Sequence, residues 1–309
     1  MMQFEEAKRE AIRTVISLGG RSGSGKTYSG LLLARGLVGP EGKVFVLDTE
    51  SKRSRMYADD PDVGGFIAGD MHPPFSPDSY IQAIDAAEKA GADVIVIDSM
   101  SHEWTGIGGC IEWADQIQTQ SRKQGPTAWI KPKAAHRRLV NRLLQAQCHL
   151  VLCLRADFKL VAYNGPDGKQ AFAESQDLVP EQEKRFIYEM TLSAIVDSDH
   201  RARFVKLPKP LIGKLQDGQM IGVGTGEAIK AWVEGGVAVD KELERRLAQA
   251  RENAAQGRQA LEHFWNGLSQ DWKSRLKPHM AEFGRIADQA DAQAATVGPE
   301  EMSPAEGGI

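Results

Sequence analysis

The chain has 309 residues, enough for one large domain with an appendage, and its hydrophobic fraction of 41% can fill a sizeable core. Its formal net charge of −4 excludes a uniformly basic nucleic-acid coat, so any nucleic-acid binding must come from a local patch. There is no apolar run of the roughly 18 residues that a membrane span needs and no apolar secretory leader at the start. The three cysteines, Cys110, Cys148 and Cys153, form no CxxC pair, so we expect them to be core residues of a protein in the reduced cytoplasm.

The first 13 residues have the mixed charge of a short amphipathic helix or a packing arm. From Thr14 onward, short runs rich in Val, Ile and Leu predict buried strands at Val15–Leu18, Val44–Leu47, Val94–Ile97 and Leu150–Leu154. Helical patterns lie between them at Lys26–Leu37, Pro77–Lys89 and Lys133–Ala146. This alternation predicts a three-layer α/β core with a mainly parallel sheet over residues 14–237.

The segment from Phe186 to Met220 contains several short strands with turns, which predicts a small antiparallel extension of the sheet. A helix is expected at Gly226–Val233. Residues 238–290 are rich in Ala, Glu, Gln, Arg and Leu and predict a helical appendage of about three helices. Residues 291–309 have the composition of a disordered tail.

A phosphate-binding motif follows the first predicted strand and precedes a helix. Residues 20–27 match G-x-x-x-x-G-K-[ST], in which backbone N–H groups cradle phosphate oxygens and the helix N-terminus adds partial positive charge. Lys26 is predicted to contact the β- and γ-phosphates, and the Thr27 hydroxyl to bind Mg²⁺. The predicted nucleotide-binding residues are Gly20, Arg21, Ser22, Gly23, Ser24, Gly25, Lys26, Thr27 and Tyr28.

A second motif, which ends in an aspartate, supplies the other predicted residue of the metal site. Four apolar residues, Val94–Ile97, end in Asp98, at the strand end where ligands bind in open α/β sheets. Asp98 is therefore the predicted Walker B carboxylate, which holds Mg²⁺ through water, alongside the Thr27 hydroxyl. The chain has no guanine-reading N-K-x-D motif, which favours ATP over GTP.

The residue that activates the attacking water is not expected next to Asp98. In AAA+ proteins a carboxylate usually follows the Walker B aspartate, but here that position is Ser99. The run from Val44 to Glu50 instead resembles the RecA and DnaB superfamily, whose catalytic glutamate lies at that strand end. The resemblance implies Glu50 in this role, with Glu103 as the alternative.

The same resemblance implies two further sets of residues. Arg155, at the end of the strand after Walker B, takes the place of a γ-phosphate sensor, although RecA has glutamine there; a salt-bridging loop residue is an equal interpretation. Lys206 and Lys209 lie where RecA places lysines that reach a neighbouring subunit's ATP. An exposed basic strand is an alternative explanation for both lysines.

A basic stretch lies beyond the Walker B strand. Between Gln116 and Ala156 the chain has no Asp or Glu, and it has a tryptophan that could stack on an unpaired base. In RecA-like recombinases the loops corresponding to residues 103–131 and 156–182 face DNA. The candidate DNA-binding residues are Arg122, Lys123, Trp129, Lys131, Lys133, Arg137 and Arg138. The alternative is that the arginines form a solvated helix face and Trp129 packs.

Over residues 14–235 the chain resembles the phage-encoded RecA-like ATPases known as AAA-family or Sak-type single-strand annealing proteins. The resemblance implies an ATP hydrolase that requires Mg²⁺, acts as a homo-oligomer on single-stranded DNA and works with a single-strand-binding protein in the host cytoplasm. Two alternatives stay open: a DnaB-type replicative helicase or helicase loader, and a RecA-like switch ATPase that does not act on DNA.

Overall fold

The computed structural model describes residues 12–121, 125–164, 170–175, 177–235 and 241–296. The chain divides into two compact units, Met1–Val237 and Ala238–Ile309, and each is described by itself. Most of the predicted N-terminal arm, the candidates Arg122 and Lys123 and the tail from residue 297 lie outside the described residues.

The first unit alternates strands and helices. Its strands are β1 (Val15–Gly20), β2 (Val44–Asp48), β3 (Ile67–Asp70), β4 (Val94–Asp98), β5 (His149–Asp157), β6 (Leu160–Asn164), β7 (Gln170–Glu174), β8 (Val179–Pro180), β9 (Leu192–Val196), β10 (Arg201–Lys206) and β11 (Gln219–Met220). Its helices are α1 (Lys26–Val38), α2 (Pro77–Lys89), α3 (His102–Thr105), α4 (Cys110–Ser121), α5 (Ile130–Leu144), α6 (Phe186–Glu189) and α7 (Val223–Glu234).

One sheet organises this unit, with the strand order β11-β10-β9-β1-β5-β4-β2-β3. The six strands from β9 to β3 are parallel, which confirms the predicted mainly parallel sheet. The predicted antiparallel extension is correct for β10 and β11 but wrong for β9, which pairs in parallel with β1. Strand β8 pairs with the end of β5, and β6 and β7 form a separate hairpin.

Helices cover both faces of the sheet because successive strand residues point to opposite sides. On one face, Ile16, Val46 and Val96 pack in a core cluster with residues of α1 and α7. On the other face, Ile95 and Ile97 pack in a cluster with residues of α2 and α5. The predicted three-layer α/β core is thus confirmed, and the three cysteines are buried as predicted.

Some elements differ from the sequence prediction. Helix α5 begins at Ile130, three residues before the predicted start at Lys133, and α4 was not predicted. Strand β3 was also missed, because it lies at the sheet edge, where its residues are half-buried or exposed, and it therefore has no apolar run.

The second unit is helical, as predicted, and its described residues, 241–296, form four α-helices rather than about three: α8 (Lys241–Ala254), α9 (Arg258–Asn266), α10 (Gln270–Leu276) and α11 (Met280–Thr296). The last helix continues past the expected boundary at residue 290. The small core of this unit contains Leu261, Phe283 and alanines of α8 and α11. Within the described parts of both units, no helix is long and apolar enough to cross a membrane.

Candidate active site

The predicted phosphate-binding motif is a tight loop between β1 and α1. Gly23 and Gly25 adopt φ values of 84° and 86°, a left-handed region that favours glycine. A Cβ atom on Gly25 would lie 2.8 Å from His200 Nδ1, so this position also lacks room for a side chain. Tyr28, just after the motif, packs its ring against Tyr57 at a centroid distance of 5.1 Å.

The loop carries the groups that a phosphate needs. No side chain caps the N-terminus of α1, and its first turn has no acidic residue, so its N–H groups and partial positive charge suit an anion. Lys26 is buried, and its Nζ donates to the Arg21 carbonyl at 2.8 Å. The buried Ser24 Oγ has no hydrogen-bond partner among the described residues. This donor set fits a nucleotide's phosphates.

Asp98 lies at the end of β4, directly across from the start of α1. Thr27 Oγ1 donates to Asp98 Oδ2 at 2.5 Å. Burial raises the pKa of Asp98 to about 6, against the lowering effect of the Thr27 hydrogen bond. The two oxygen ligands predicted for Mg²⁺ are therefore adjacent, and oxygen ligands are those that Mg²⁺ prefers.

Glu50 follows β2 in a turn that Asp48 organises. The buried Asp48 carboxylate accepts from the backbone N–H of Glu50 at 2.8 Å and from the N–H and hydroxyl of Ser54 at 3.0 and 2.5 Å. Asp48 and Asp98 are register partners on adjacent strands. The turn thus fixes the Glu50 backbone beside the strand end that carries Asp98.

The Glu50 side chain forms an ion pair with Arg155 of β5. Nη2 and Nε of Arg155 donate to Glu50 Oε1 at 2.7 and 3.0 Å. Strand β4 lies between β2 and β5, so the pair reaches across the strand that ends in Asp98. Arg155 thus makes a salt bridge, as the alternative interpretation predicts, from the strand position where the γ-phosphate sensor is predicted.

Two side chains that the sequence analysis missed also contact this edge. His102 shares a 2.7 Å hydrogen bond with Thr49 Oγ1, and its Nε2 lies 3.9 Å from Glu50 Oε1. Burial and the nearby Arg155 lower the pKa of His102, which keeps it neutral at pH 7. His200, in the turn before β10, shares a 2.9 Å hydrogen bond with the Ser24 carbonyl oxygen. Neither residue belongs to a motif that would have identified it.

The alternative catalytic residue, Glu103, does not reach this site. It is fully buried, and its carboxylate accepts from Cys110 Sγ at 3.2 Å, His136 Nδ1 at 3.1 Å and Gln182 Nε2 at 3.1 Å. A carboxylate enclosed in this way cannot activate a water molecule, so the alternative is wrong. Glu, Cys and His can all bind metals, but here each is satisfied by the others, and we assign the cluster a structural role.

Of the two lysines expected to act in a neighbouring subunit, Lys206 is held by its own chain. Its Nζ donates to the backbone carbonyls of Tyr188 at 2.6 Å and Met190 at 2.5 Å. The predicted role requires this ammonium group to leave both carbonyls. Lys209 is exposed on a short 3-10 turn, Lys209–Leu211.

The basic stretch separates into two groups. Arg138 pairs with Asp78 at 3.0 Å, and Arg142 pairs with Asp85 and Glu88 at 2.7 and 2.6 Å, so both arginines join α5 to α2. The sequence showed no acidic residue near these arginines, because their partners come from a distant part of the chain. Arg138, a predicted DNA-binding residue, therefore already has an acidic partner in the structure, and its contact with DNA stays a prediction.

The other group surrounds Trp129. A surface pocket of about 520 Å³ is lined by Gly125, Pro126, Trp129, Ile130, Lys133 and Arg137. Lys133 Nζ lies 5.9 Å from the Trp129 ring centroid, and Lys131 and Arg137 are exposed. The Trp129 ring also stacks on Trp104 at 5.6 Å, so the tryptophan both packs and lines a basic pocket.

Comparison with known proteins agrees with this site. A family model described as an AAA domain, AAA_24, matches residues 13–194, which include the phosphate loop and strands β1 to β5. A search of curated proteins gives no match. Because the matched segment covers more than half of the chain and contains the nucleotide motifs, the chain belongs to the AAA_24 family of AAA-domain P-loop ATPases.

Proposed function

We propose that this protein hydrolyses ATP with Mg²⁺, with Glu50 activating the attacking water. The observation that carries the proposal is that the ends of adjacent strands and the start of α1 bring Lys26, Thr27, Asp98, Glu50 and Arg155 together at one edge of the sheet. Lys26 feels the charges of Asp98, Glu50 and Arg155, although burial is the larger influence and lowers its pKa.

Each residue has one task in this proposal. The loop N–H groups and Lys26 hold the phosphates, and Thr27 and Asp98 hold Mg²⁺. Bound Mg²⁺ would supply charge neutralisation on the phosphates. Glu50 accepts the proton of the attacking water, a task for which Ser99 next to Asp98 is not basic enough. Arg155 stabilises negative charge that develops on the phosphate.

We further propose that the ATPase acts on single-stranded DNA through the Trp129 pocket. Among the described residues, Lys131, Lys133 and Arg137 make no ion pair with an acidic group, so their charges are available to phosphates. The tryptophan adds an aromatic surface for an unpaired base. Arg138 is given no role in this proposal, because it already pairs with Asp78.

A second DNA contact is proposed at the β6–β7 hairpin. This hairpin follows the strand that carries Arg155, and its Tyr163 and Phe172 side chains are exposed. Lys159 lies at its base and is also exposed. An exposed hairpin with aromatic and basic side chains suits a strand of unpaired bases.

The biological role rests on the resemblance described above. We propose a phage-encoded, cytoplasmic homo-oligomer of the Sak type that anneals single strands during recombination and replication-linked repair, together with a single-strand-binding protein. A DnaB-type helicase or loader and a switch ATPase that does not act on DNA are the competing outcomes of the test below.

The test combines ATPase rates with and without single-stranded DNA and the annealing of complementary oligonucleotides. We expect DNA to stimulate hydrolysis, and we expect W129A/K133A to lose roughly five-fold or more in DNA affinity, because each stacked base contributes about 1–3 kcal/mol. R138A is the matched control and should bind like wild type. DNA-independent hydrolysis without oligonucleotide binding would leave the switch ATPase; duplex unwinding in preference to annealing would identify a helicase.

A further inference from the structure

We propose that Arg155 is exchanged between two partners: it holds Glu50 before ATP binds and moves to the γ-phosphate when ATP is present. ATP binding would thereby release the Glu50 carboxylate for catalysis. This inference rests on the proposed function, since it assumes that Glu50 activates the attacking water.

The first support is that Arg155 belongs to the strand that pairs with β1, which leads into the phosphate loop. Arg155 is the register partner of Gly20, the first residue of the phosphate loop. Its side chain nevertheless extends away from Gly20, over the end of β4, to Glu50 beyond β2. Two strand spacings of about 4.8 Å separate β5 from β2. The guanidinium therefore reaches across the strand end that carries Asp98, where its charge also acts on Lys26 of the phosphate loop.

The second support is the chemistry of the pair. Both donating nitrogens of Arg155 bind the same oxygen, Oε1 of Glu50. That oxygen already accepts two hydrogen bonds, so it is less available to an attacking water molecule than an oxygen without such partners. A guanidinium binds phosphate as readily as carboxylate, so a γ-phosphate can compete for it.

The third support is the difference in freedom between the two side chains. The Arg155 side chain is 43% exposed, whereas that of Glu50 is 15% exposed. The Asp48 hydrogen bonds also fix the Glu50 backbone. Arg155 is thus the partner that can move.

A second donor lies ready for Glu50 after the exchange. His102 Nε2 is 3.9 Å from the same Oε1 atom, and the ring is held by Thr49 and stacks on Phe75 at 5.0 Å. An imidazole N–H is a single donor, so it can orient the carboxylate while it occupies fewer of its acceptor positions than the guanidinium does. His102 is therefore a positioning residue in this proposal.

The experiment is a double-mutant cycle on nucleotide affinity in the full chain. Dissociation constants of AMP-PNP and ADP, each with Mg²⁺, are measured by calorimetry for wild type, E50Q, R155Q and E50Q/R155Q. E50Q keeps the side-chain size but removes the charge that holds Arg155. The matched control is D70N, which removes a carboxylate paired with Arg55 at the neighbouring strand end.

We expect E50Q to bind AMP-PNP roughly five-fold more tightly than wild type, which corresponds to about 1 kcal/mol for a partly exposed ion pair. ADP affinity should not change, and the gain should disappear when Arg155 is also replaced. D70N should bind both nucleotides like wild type. Equal changes for AMP-PNP and ADP, or a gain that persists in E50Q/R155Q, would overturn the exchange.

ATP hydrolysis by the same E50Q protein separates this inference from the proposed function. If E50Q hydrolyses ATP at the wild-type rate, Glu50 is not the catalytic base and the proposed function fails in that respect. If hydrolysis is lost while the ratio of AMP-PNP to ADP affinity stays that of wild type, only the exchange is refuted.

Discussion

The buried Asp98 carboxylate should lower the free energy of unfolding, and D98N should raise it. The carboxylate is 4% exposed, and burial raises its pKa from 3.8 to about 6. Each pKa unit corresponds to about 1.36 kcal/mol, so ionised Asp98 costs at most about 3 kcal/mol at pH 8. An asparagine amide must also be buried, which reduces the expected gain in the free energy of unfolding to about 1–2 kcal/mol.

The pH dependence has a definite sign. Because the pKa of Asp98 is higher in the folded protein than in the unfolded chain, the folded protein binds more protons between pH 3.8 and about 6. The stability that this residue contributes therefore falls as pH rises through that window. The advantage of D98N over wild type should be largest above pH 7 and should decrease towards pH 4.

Urea denaturation at pH 5 and pH 8, without nucleotide or Mg²⁺, measures this difference. The matched control is D48N, at the register partner of Asp98 and equally buried. Asp48 accepts hydrogen bonds from Glu50, Lys52 and Ser54, so D48N should lower the free energy of unfolding by about 1–3 kcal/mol. The prediction is refuted if D98N is less stable than wild type at pH 8, or if the difference in the free energy of unfolding is the same at pH 5 and pH 8.

Three further predictions concern other parts of the chain. Burial lowers the pKa of His102, so the free energy of unfolding of the wild type should decrease as pH falls below about 6.5. H102Q should lack this decrease, which urea denaturation at pH values from 7 to 5 measures. G25A should weaken nucleotide binding even when His200 is also replaced by Ala, since the double variant removes the close contact but not the φ of 86°; full recovery in calorimetry would contradict this. F283A should destabilise the second unit by about 3–5 kcal/mol, which differential scanning calorimetry of the full chain can detect, because the ring is fully buried in a small core.

The sequence predicted the central strands well because their signals are local. Strands β1, β2, β4 and β5 are covered on both faces, so each contains a continuous apolar run, and the glycine-lysine loop has fixed spacing. Strand β3 and the β6–β7 hairpin gave no such run, because they lie at the sheet edge or outside the main sheet.

The side-chain partners could not be predicted, because they depend on contacts between distant segments. Arg138 of α5 pairs with Asp78 of α2, which lies 60 positions earlier in the chain, and Glu103 is enclosed by Cys110 of α4 and His136 of α5. The contact between Arg155 and Glu50 joins residues 105 positions apart. Motifs located the site, but the ion pairs within it follow from the strand order.

The central claim is that Glu50 activates water for ATP hydrolysis at this site. Single-turnover phosphate release from Mg-ATP, compared between wild type and E50Q, tests it most directly, with AMP-PNP binding measured on the same proteins. E50Q should slow hydrolysis by roughly 10²–10⁴-fold while it still binds nucleotide. Hydrolysis by E50Q at the wild-type rate would contradict the account.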